Sequence, residues 1–416
     1  MTETIAAIST AIGESGIGIV RMSGKESSNI AKQVFQRAKD KEIQATDNKR
    51  LLYGNIMDNG EVIDEVLIAF MDAPYTYTRE EMVEIYCHGG IIPVKKILEL
   101  LLKKGARIAE RGEFTKRAFL NGRLDLSQAE AVIDIIKAKT EKSYDISLRQ
   151  LEGKLSLEIQ EIRQILLKMI AHIEVSIDFP EDDIEEVTTE ELLGDGNRVR
   201  DRIQRLLKTA DRGKIMRDGL NTVILGTPNV GKSSLLNAVL RENRAIVTEI
   251  PGTTRDIIEE YVNIDGIPLK IMDTAGIRQT DDLVEKIGVD KAKETLDKAD
   301  LIIAIFDISR ELNEDDYHIM ELIKDKKTIV LLNKTDLPRL YDEKYFSNYF
   351  ENSQIINASM IKNIGIEELE DAIRAMFYDG EIAIDSDMII NNIRHKQQLE
   401  LANEDIESVL KDLSTA

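Results

Sequence analysis

The sequence predicts a multidomain fold combining α+β and α/β architecture, and three changes of pattern along the chain carry that prediction. Up to about residue 120, short apolar runs of β type alternate with helical stretches. From about Leu126 helical periodicity takes over. Beyond Asp218 strands and helices alternate, and after about Gly380 the helical texture returns. A chain of 416 residues has room for several cores, since domains run to about 150 residues each.

In residues 1–120, Ile17 to Arg21, Val66 to Met71 and Met82 to Tyr86 read as strands, and Ile97 to Lys104 as a helix ending at Gly105. Residues 121–215 read as the first part of a helical domain. Ser127 followed by Glu130 fits a capping box that opens the apolar run Ala131 to Ile136. Leu155, Ile159, Ile162, Leu166, Met169 and Ile173 recur at intervals of four and three, one stripe predicted to face a bundle core. Asp178 to Glu191 holds eight carboxylates and no Lys or Arg. It reads as a solvated connection, because a hard-cation site needs ligands that converge in space. Val199, Ile203 and Leu206 mark a further amphipathic helix. In residues 216–380, Thr222 to Leu225, Leu269 to Met272, Leu301 to Phe306, Ile329 to Leu332 and Gln354 to Ile356 are short apolar runs between helical segments. They predict a mostly parallel sheet covered on both faces. In residues 381–416, Leu399, Ala402, Ile406, Val409 and Leu413 share a helical face, so the α/β unit reads as an insertion into the helical domain.

Charge narrows the function classes. Lys and Arg number 55 against 76 Asp and Glu, a net charge of −21, and that field repels phosphate backbones. Any nucleic acid is expected to need a local basic patch or a basic partner. The single cysteine, Cys87, permits no intramolecular disulfide and no cysteine-based zinc cluster, and it suits a reducing cytoplasm. The longest apolar runs have six residues, against roughly 20 for a membrane-spanning helix. The start, MTETIAAIST, does not read as a secretory signal. Cys87 beside His88 reads as structural, and His172, His318 and His395 have no complementary spacing.

The chemistry sits in four segments whose order matters. The strand ending at Leu225 runs into Gly226-Thr-Pro-Asn-Val-Gly231-Lys232-Ser233-Ser234, a full G-x-x-x-x-G-K-[ST] match followed by the helical run Leu235 to Leu240. Backbone N–H groups from Asn229, Val230, Gly231 and Ser234 suit phosphate oxygens, Lys232 suits the terminal phosphates, and the Ser233 hydroxyl suits Mg²⁺. Asp273-Thr-Ala275-Gly276 closes an apolar strand, which puts Asp273 near the Mg²⁺ shell and the Gly276 N–H near a γ-phosphate. Between them, Thr253 and Thr254 in Pro251-Gly-Thr-Thr-Arg-Asp256 offer a hydroxyl that completes that shell and releases on hydrolysis. Asn333-Lys334-Thr335-Asp336 ends another strand, and its carboxylate can accept from guanine N1–H and the exocyclic amine, which adenine lacks. Asn357-Ala358-Ser359 offers the Ala358 N–H to guanine O6. The residue after Gly276, where many small GTPases carry a water-orienting Gln, is Ile277. Arg278, Asp281, Asp282 and Glu285 remain open as replacements.

With these motifs in place the chain resembles the tRNA-modification GTPase family MnmE, also called TrmE. The likeness is carried by TIAAIST and GIVRMSG near the start, YTREEMVEIYCHGG, RGEFTKRAFLNGRLDLSQAEAVIDIIKAKT, GTPNVGKSS, IVTEIPGTTRD, DTAGIRQTDDLVEKIG and NKTD. The resemblance implies an N-terminal folate-binding domain, a helical domain and an inserted GTPase domain. It implies that Asn229, Thr248, Ile250 and Thr253 ligate K⁺ where two GTPase domains meet, that Ser233 and Thr254 hold Mg²⁺, and that Glu285 orients the attacking water. It implies a folate pocket of Arg21, Glu84 and Arg123, for 5,10-methylene-tetrahydrofolate or its analogue 5-formyl-tetrahydrofolate. Position 123 is often Lys in relatives, and Arg keeps the charge with a different donor geometry. Relatives continue past Ala416 to a C-x-G-K segment absent from this sequence, of which GTP hydrolysis is expected to be independent.

The function so implied is GTP hydrolysis in the synthesis of 5-carboxymethylaminomethyluridine at the wobble position of tRNA. A homodimer would work with a flavin-containing partner of the MnmG type that holds most of the tRNA. Two rivals stay open: a regulatory RNA- or ribosome-associated GTPase switch without folate chemistry, and a folate-dependent transferase with its GTPase unit as scaffold.

Overall fold

The computed structural model describes residues 3–38, 42–178, 189–242, 260–272, 295–350, 353–377 and 389–415. The described residues of Met1–Ile133 form one compact unit, and those of Asp134–Glu249 and Asp256–Ala416 form a second.

The first unit contains β1 (Ile5–Ile8), β2 (Gly18–Ser23), α1 (Ser27–Val34), β3 (Phe35–Arg37), β4 (Leu51–Asp58), β5 (Glu61–Met71), β6 (Met82–Cys87), α2 (Ile91–Lys103), β7 (Arg107–Ile108) and α3 (Glu113–Leu120). Its seven-stranded sheet runs β3-β4-β5-β6-β2-β1-β7, antiparallel except for the β1–β7 pair. Alternation gives each strand two faces. Val20, Met22, Ile68, Val83 and Ile85 point into a core closed by Ile30 and Val34 of α1 and by Val94, Ile97 and Leu101 of α2. The intervening residues form the other face, where Arg21 pairs in register with Glu84, and Glu84 with Ala69. Helix α2 begins six residues before the predicted Ile97. Pro93 falls in its first turn, where a proline breaks no helical hydrogen bond.

Cys87 has its Sγ directed at the Gly18 carbonyl at 3.3 Å. Burial pushes its thiol up to about 11, which agrees with the structural reading.

Helix α4 spans Leu126–Lys137. Its cap differs from the Ser127–Glu130 expectation: the Gln128 N–H donates to Asp125 Oδ1 at 2.8 Å and the Asp125 N–H to Gln128 Oε1 at 3.0 Å. This reciprocal pair begins two residues earlier because Asp125 accepts at the N-terminus as Ser127 would and carries a charge the helix dipole favours.

The second unit holds α5 (Glu141–Leu151), α6 (Lys154–Asp178), α7 (Thr189–Asp218) and a last helix, Ile393–Thr415. Leu155, Ile162, Val199, Ile203, Leu206, Leu399, Ile406 and Leu410 make its helical core. Two stripes depart from expectation. Ile159 and Ile173 of α6 are exposed, the buried side being Leu155, Ile162 and Met169. In the last helix Leu410 is buried and Val409 exposed, since a periodicity of 3.6 lets two adjacent apolar residues compete for one groove.

The inserted sheet contains β8 (Leu220–Leu225), β9 (Glu260–Ile264), β10 (Ile267–Ile271), β11 (Leu301–Asp307), β12 (Thr328–Asn333) and β13 (Gln354–Asn357), in the order β13-β12-β11-β8-β10-β9. All neighbours are parallel except β9–β10. Helices α8 (Lys232–Glu242), α9 (Glu314–Ile323), α10 (Glu343–Ser347) and α11 (Ile366–Phe377) cover it, and the last helix becomes α12. Cores lie on both faces: Leu235, Val239, Leu369 and Ile373 pack on one, and Ile319, Ile323, Phe346 and Phe350 on the other. The sheet thus has the two covered faces that parallel strands require.

Candidate nucleotide site

In a doubly covered parallel sheet, loops at the carboxyl ends of the strands are the place for a ligand. The loop after β8 folds as its sequence demands. Gly226 takes φ +155°, where a Cβ would lie 2.7 Å from the Ile305 carbonyl oxygen and 2.7 Å from Val230 Cγ2. Gly231 takes φ +111°, and a Cβ there would lie 2.3 Å from Asn333 Nδ2. Asn229 adopts the left-handed region at φ +64°. The result is a cradle only glycine permits, opening onto the first turn of α8, where backbone N–H groups attract anions.

Lys232 begins α8, and its ammonium donates to the carbonyls of Gly226 at 2.7 Å and Thr227 at 3.1 Å. It therefore spans the mouth of the loop. Ser233 and Ser234 are exposed beside it, and Val230 is buried beneath. The donor set suits phosphate: a cation, free-standing glycines without Cβ atoms, and a hydroxyl for a hard cation. Thr227 braces the loop from below, donating to Asp316 Oδ1 at 2.8 Å and accepting from Arg310 Nη2 at 2.8 Å.

The base-reading segment lies at the end of β12. Asn333 Nδ2 donates to the Val230 carbonyl at 2.6 Å, and Asn333 Oδ1 accepts from the Met360 N–H at 3.1 Å. One buried amide thus joins the phosphate loop, the NKTD segment and the loop after β13. Asp336 Oδ1 accepts from the Ser359 hydroxyl at 2.6 Å. That hydrogen bond holds the carboxyl below its ordinary range; a carboxylate is the acceptor that an amine and N1–H pair requires. Lys334, at φ +65°, places its ammonium 2.5 Å from Asp307 Oδ2.

One donor is placed otherwise than expected. The Ala358 N–H already bonds to the Leu332 carbonyl at 2.8 Å as a continuation of the β12–β13 ladder, and Ala358 is buried. It is therefore not a donor to a base in this arrangement. Thr248, Ile250, Thr253, Thr254, Asp273, Ala275, Gly276 and Glu285 lie outside the described residues, as do Arg278, Asp281 and Asp282. Of the expected K⁺ ligands Asn229 is described, and of the Mg²⁺ ligands Ser233. Among the described residues no group of His, Cys, Asp and Glu is arranged to hold a metal ion.

In the first unit, Arg21, Glu84 and Arg123 come together on the open face of the sheet. Arg21 Nε donates to Glu84 Oε1 at 2.7 Å, and Tyr86 donates to Glu84 Oε2 at 2.6 Å. The Arg21 guanidinium stands 5.8 Å from the Tyr77 ring centre and 5.7 Å from that of Phe114. Arg123 lies over the same Tyr77 ring at 4.6 Å. An oriented carboxylate, an exposed cation and aromatic faces are the groups that a flat heteroaromatic ring with an anionic tail needs. Tyr77, Tyr86, Phe114 and Asp307 carry no role in the sequence reading, and Ser359 enters it only as part of Asn357-Ala358-Ser359, not as a partner of Asp336. The signals were present, since Asp307 is the charged end of the apolar run Leu301 to Phe306.

With this geometry in hand, comparison with known proteins is informative. Residues 4–123 match the family model described as "GTP-binding protein TrmE N-terminus", and residues 126–416 match "MnmE helical domain". The tRNA modification GTPase MnmE of Clostridioides difficile (strain 630) is 56% identical over 400 residues, covering 96% of this chain and 87% of that protein. The protein of the same description from Finegoldia magna is 55% identical over 413 residues, covering 99% and 90%. That from Geobacillus kaustophilus is 50% identical over 415 residues, covering 99% and 90%.

Proposed function

The chain belongs to the MnmE family of tRNA modification GTPases, and on that premise we propose that its GTP hydrolysis drives synthesis of 5-carboxymethylaminomethyluridine at the tRNA wobble position. The observation that carries the nucleotide reading is the junction at Asn333, which binds phosphate loop and base-reading segment into one site. Lys232 meets the terminal phosphates, and Asp336, oriented by the Ser359 hydroxyl, selects guanine over adenine. Ser233 with Thr254 would hold Mg²⁺, which supplies positive charge against the phosphates. Asn229 with Thr248, Ile250 and Thr253 would hold K⁺ when two copies pair, and Glu285 would orient the water.

The one-carbon unit would come from 5,10-methylene-tetrahydrofolate bound in the first unit. There Glu84, held by Arg21 and Tyr86, can accept from the pterin N–H groups, and Arg123 can pair with the glutamate tail. The acidic balance of −21 supports division of labour with a flavin-containing MnmG-type partner that carries most of the tRNA. A homodimer in the cytoplasm is the expected working form. Among the described residues no helix is long and apolar enough to cross a membrane.

GTPase assays in KCl and in NaCl, with and without Asn229→Ala, test the potassium reading. Turnover is expected to be faster in KCl and to lose that advantage in the variant; equal rates in both salts refute it. Binding of 5-formyl-tetrahydrofolate measured by calorimetry separates this reading from a GTPase switch without folate chemistry.

A further inference from the structure

The base-reading segment contains one ion pair that the motif itself does not supply. Asp307 is the last residue of β11 and the register partner of Asn333 on β12. Its side chain is 6% exposed. Oδ1 accepts from the Ser309 N–H at 3.0 Å and from the Ser309 hydroxyl at 2.6 Å, which fixes the carboxylate plane. Oδ2 faces Lys334 Nζ at 2.5 Å. Lys334 reaches it because its backbone turns through the left-handed region, an uncommon conformation for a residue with a side chain.

We propose that Asp307 is a positioning residue for nucleotide binding: by holding the Lys334 ammonium it lays the lysine's methylene stem where one face of the guanine ring packs. This rests on the placement of the base at Asn333–Asp336. A buried ion pair adds little net stability, because desolvation of both charges offsets their attraction. What the pair does supply is direction. A lysine without a partner samples many rotamers, and ordering it on binding weakens affinity. Held by Asp307, the stem is ordered beforehand, with its apolar length available and its charge already satisfied. Asp336 reads the edge of the base through hydrogen bonds, whereas Lys334 meets its plane. The two contributions are therefore separable by nucleotide choice.

The test is Asp307→Asn, measured by equilibrium binding of a fluorescent GDP analogue and by steady-state hydrolysis, alone and combined with Lys334→Ala. The amide still accepts from Ser309 but has lost the charge that holds the lysine. Asp307→Asn is expected to weaken binding about tenfold, raising KM by the same factor with kcat kept, because nothing at the phosphates changes. In the Lys334→Ala background it is expected to cost nothing further. GTP and ITP, which differ at the amine read by Asp336, are expected to weaken by equal factors. Ser309→Ala removes one donor to Oδ1 and is expected to weaken binding about threefold; it answers the question if Asp307→Asn fails to fold. Unchanged affinity in Asp307→Asn, or losses in the two single variants that multiply in the double, overturns the positioning role. If Lys334→Ala alone leaves affinity unchanged, the placement of the base falls as well.

Discussion

The nucleotide site and the open face of the N-terminal sheet are built in opposite ways. The first is made of short contiguous segments, 226–234, 333–336 and 357–360, delivered by the parallel strands β8, β12 and β13 of one sheet and joined by one buried amide, Asn333. Much of its recognition chemistry belongs to the backbone: glycines where a Cβ would collide, and N–H groups at a helix start. The second is made of single side chains from distant places in the chain, Arg21, Tyr77, Glu84, Phe114 and Arg123, held by an ion pair and cation–π stacking. The glycines of the first site admit no side chain without collision, while the second depends on the identity of each side chain that forms it. The difference teaches that one chain can build a site from backbone shape and a cluster from a few charged and aromatic side chains.

Reciprocal substitution tests that comparison most severely. Lys232→Ala removes the cation over the phosphate loop and is expected to reduce GTP turnover by about 100-fold or more, with binding of 5-formyl-tetrahydrofolate unaltered. Arg21→Met removes the partner that orients Glu84 and is expected to weaken 5-formyl-tetrahydrofolate about tenfold, with GTP turnover unaltered. Parallel loss of both properties in either variant would show that the two sites are not built independently.

This contrast also explains what was legible in the sequence. The phosphate loop, NKTD and the strands before them could be read directly, because each motif is contiguous and its strand is apolar on both faces. The register of helix stripes was less legible: Ile159 and Val409 fit their periodicity as well as Leu410 does, and packing alone decides which is buried. Strand β9 carries a weak signal, because Glu260–Ile264 is only five residues long and its aliphatic side chains are Val262 and Ile264 alone. Arg21, Glu84 and Arg123 were reachable through family resemblance, yet no spacing rule joins residues 21, 84 and 123. Tyr77, the ring over which both arginines gather, needed the structure. Ala358 shows the converse, since a strand-end residue that looks available from sequence donates to its neighbouring strand instead.

A smaller effect is expected from the charge network beside the N-terminal face. Glu113, 5% exposed, accepts from Arg107 at 2.7 Å and from Arg117 at 3.0 Å, and Arg117 also meets Glu80 at 2.9 Å. The hydrogen bond from Arg107, more than any other contact, holds the Glu113 carboxyl down at about 2. A group whose folded value is depressed stabilises the fold above its unfolded value and loses that contribution as pH falls through the folded one. Stability from Glu113 is therefore complete above its ordinary value of 4.5 and is lost toward about 2. Glu113→Gln is expected to cost about 2 kcal/mol at neutral pH, and denaturant melts across this range should show a shallower acid slope than in the unaltered protein. An unchanged slope would mean that other carboxylates govern acid unfolding.

The smallest expected effect concerns how the helical and inserted parts of the second unit meet. Lys142 of α5 donates to the Asp265 carbonyl at 2.6 Å in the β9–β10 turn, and Arg374 of α11 reaches the Asp265 carboxylate at 3.1 Å. Gly266 follows at φ +86°, and a Cβ there would lie 2.2 Å from Lys142 Cδ, so the lysine stem rests directly on the glycine. Lys142→Met keeps that stem contact and removes the ammonium, with its hydrogen bond to the Asp265 carbonyl and its 3.9 Å approach to the Asp265 carboxylate. Half-exposed polar contacts of this kind contribute roughly 0.2–1 kcal/mol, so the thermal midpoint should fall by only a few degrees. Gly266→Ala should cost more, about 1 kcal/mol or above, because an L-residue resists the positive φ and its methyl displaces the lysine stem. The order of the two variants is the informative result. If Lys142→Met were the more damaging, the ammonium rather than the packed stem would hold the turn, and the inserted part would meet the helices through charge, as the N-terminal face is held, rather than through close approach, as the phosphate loop is.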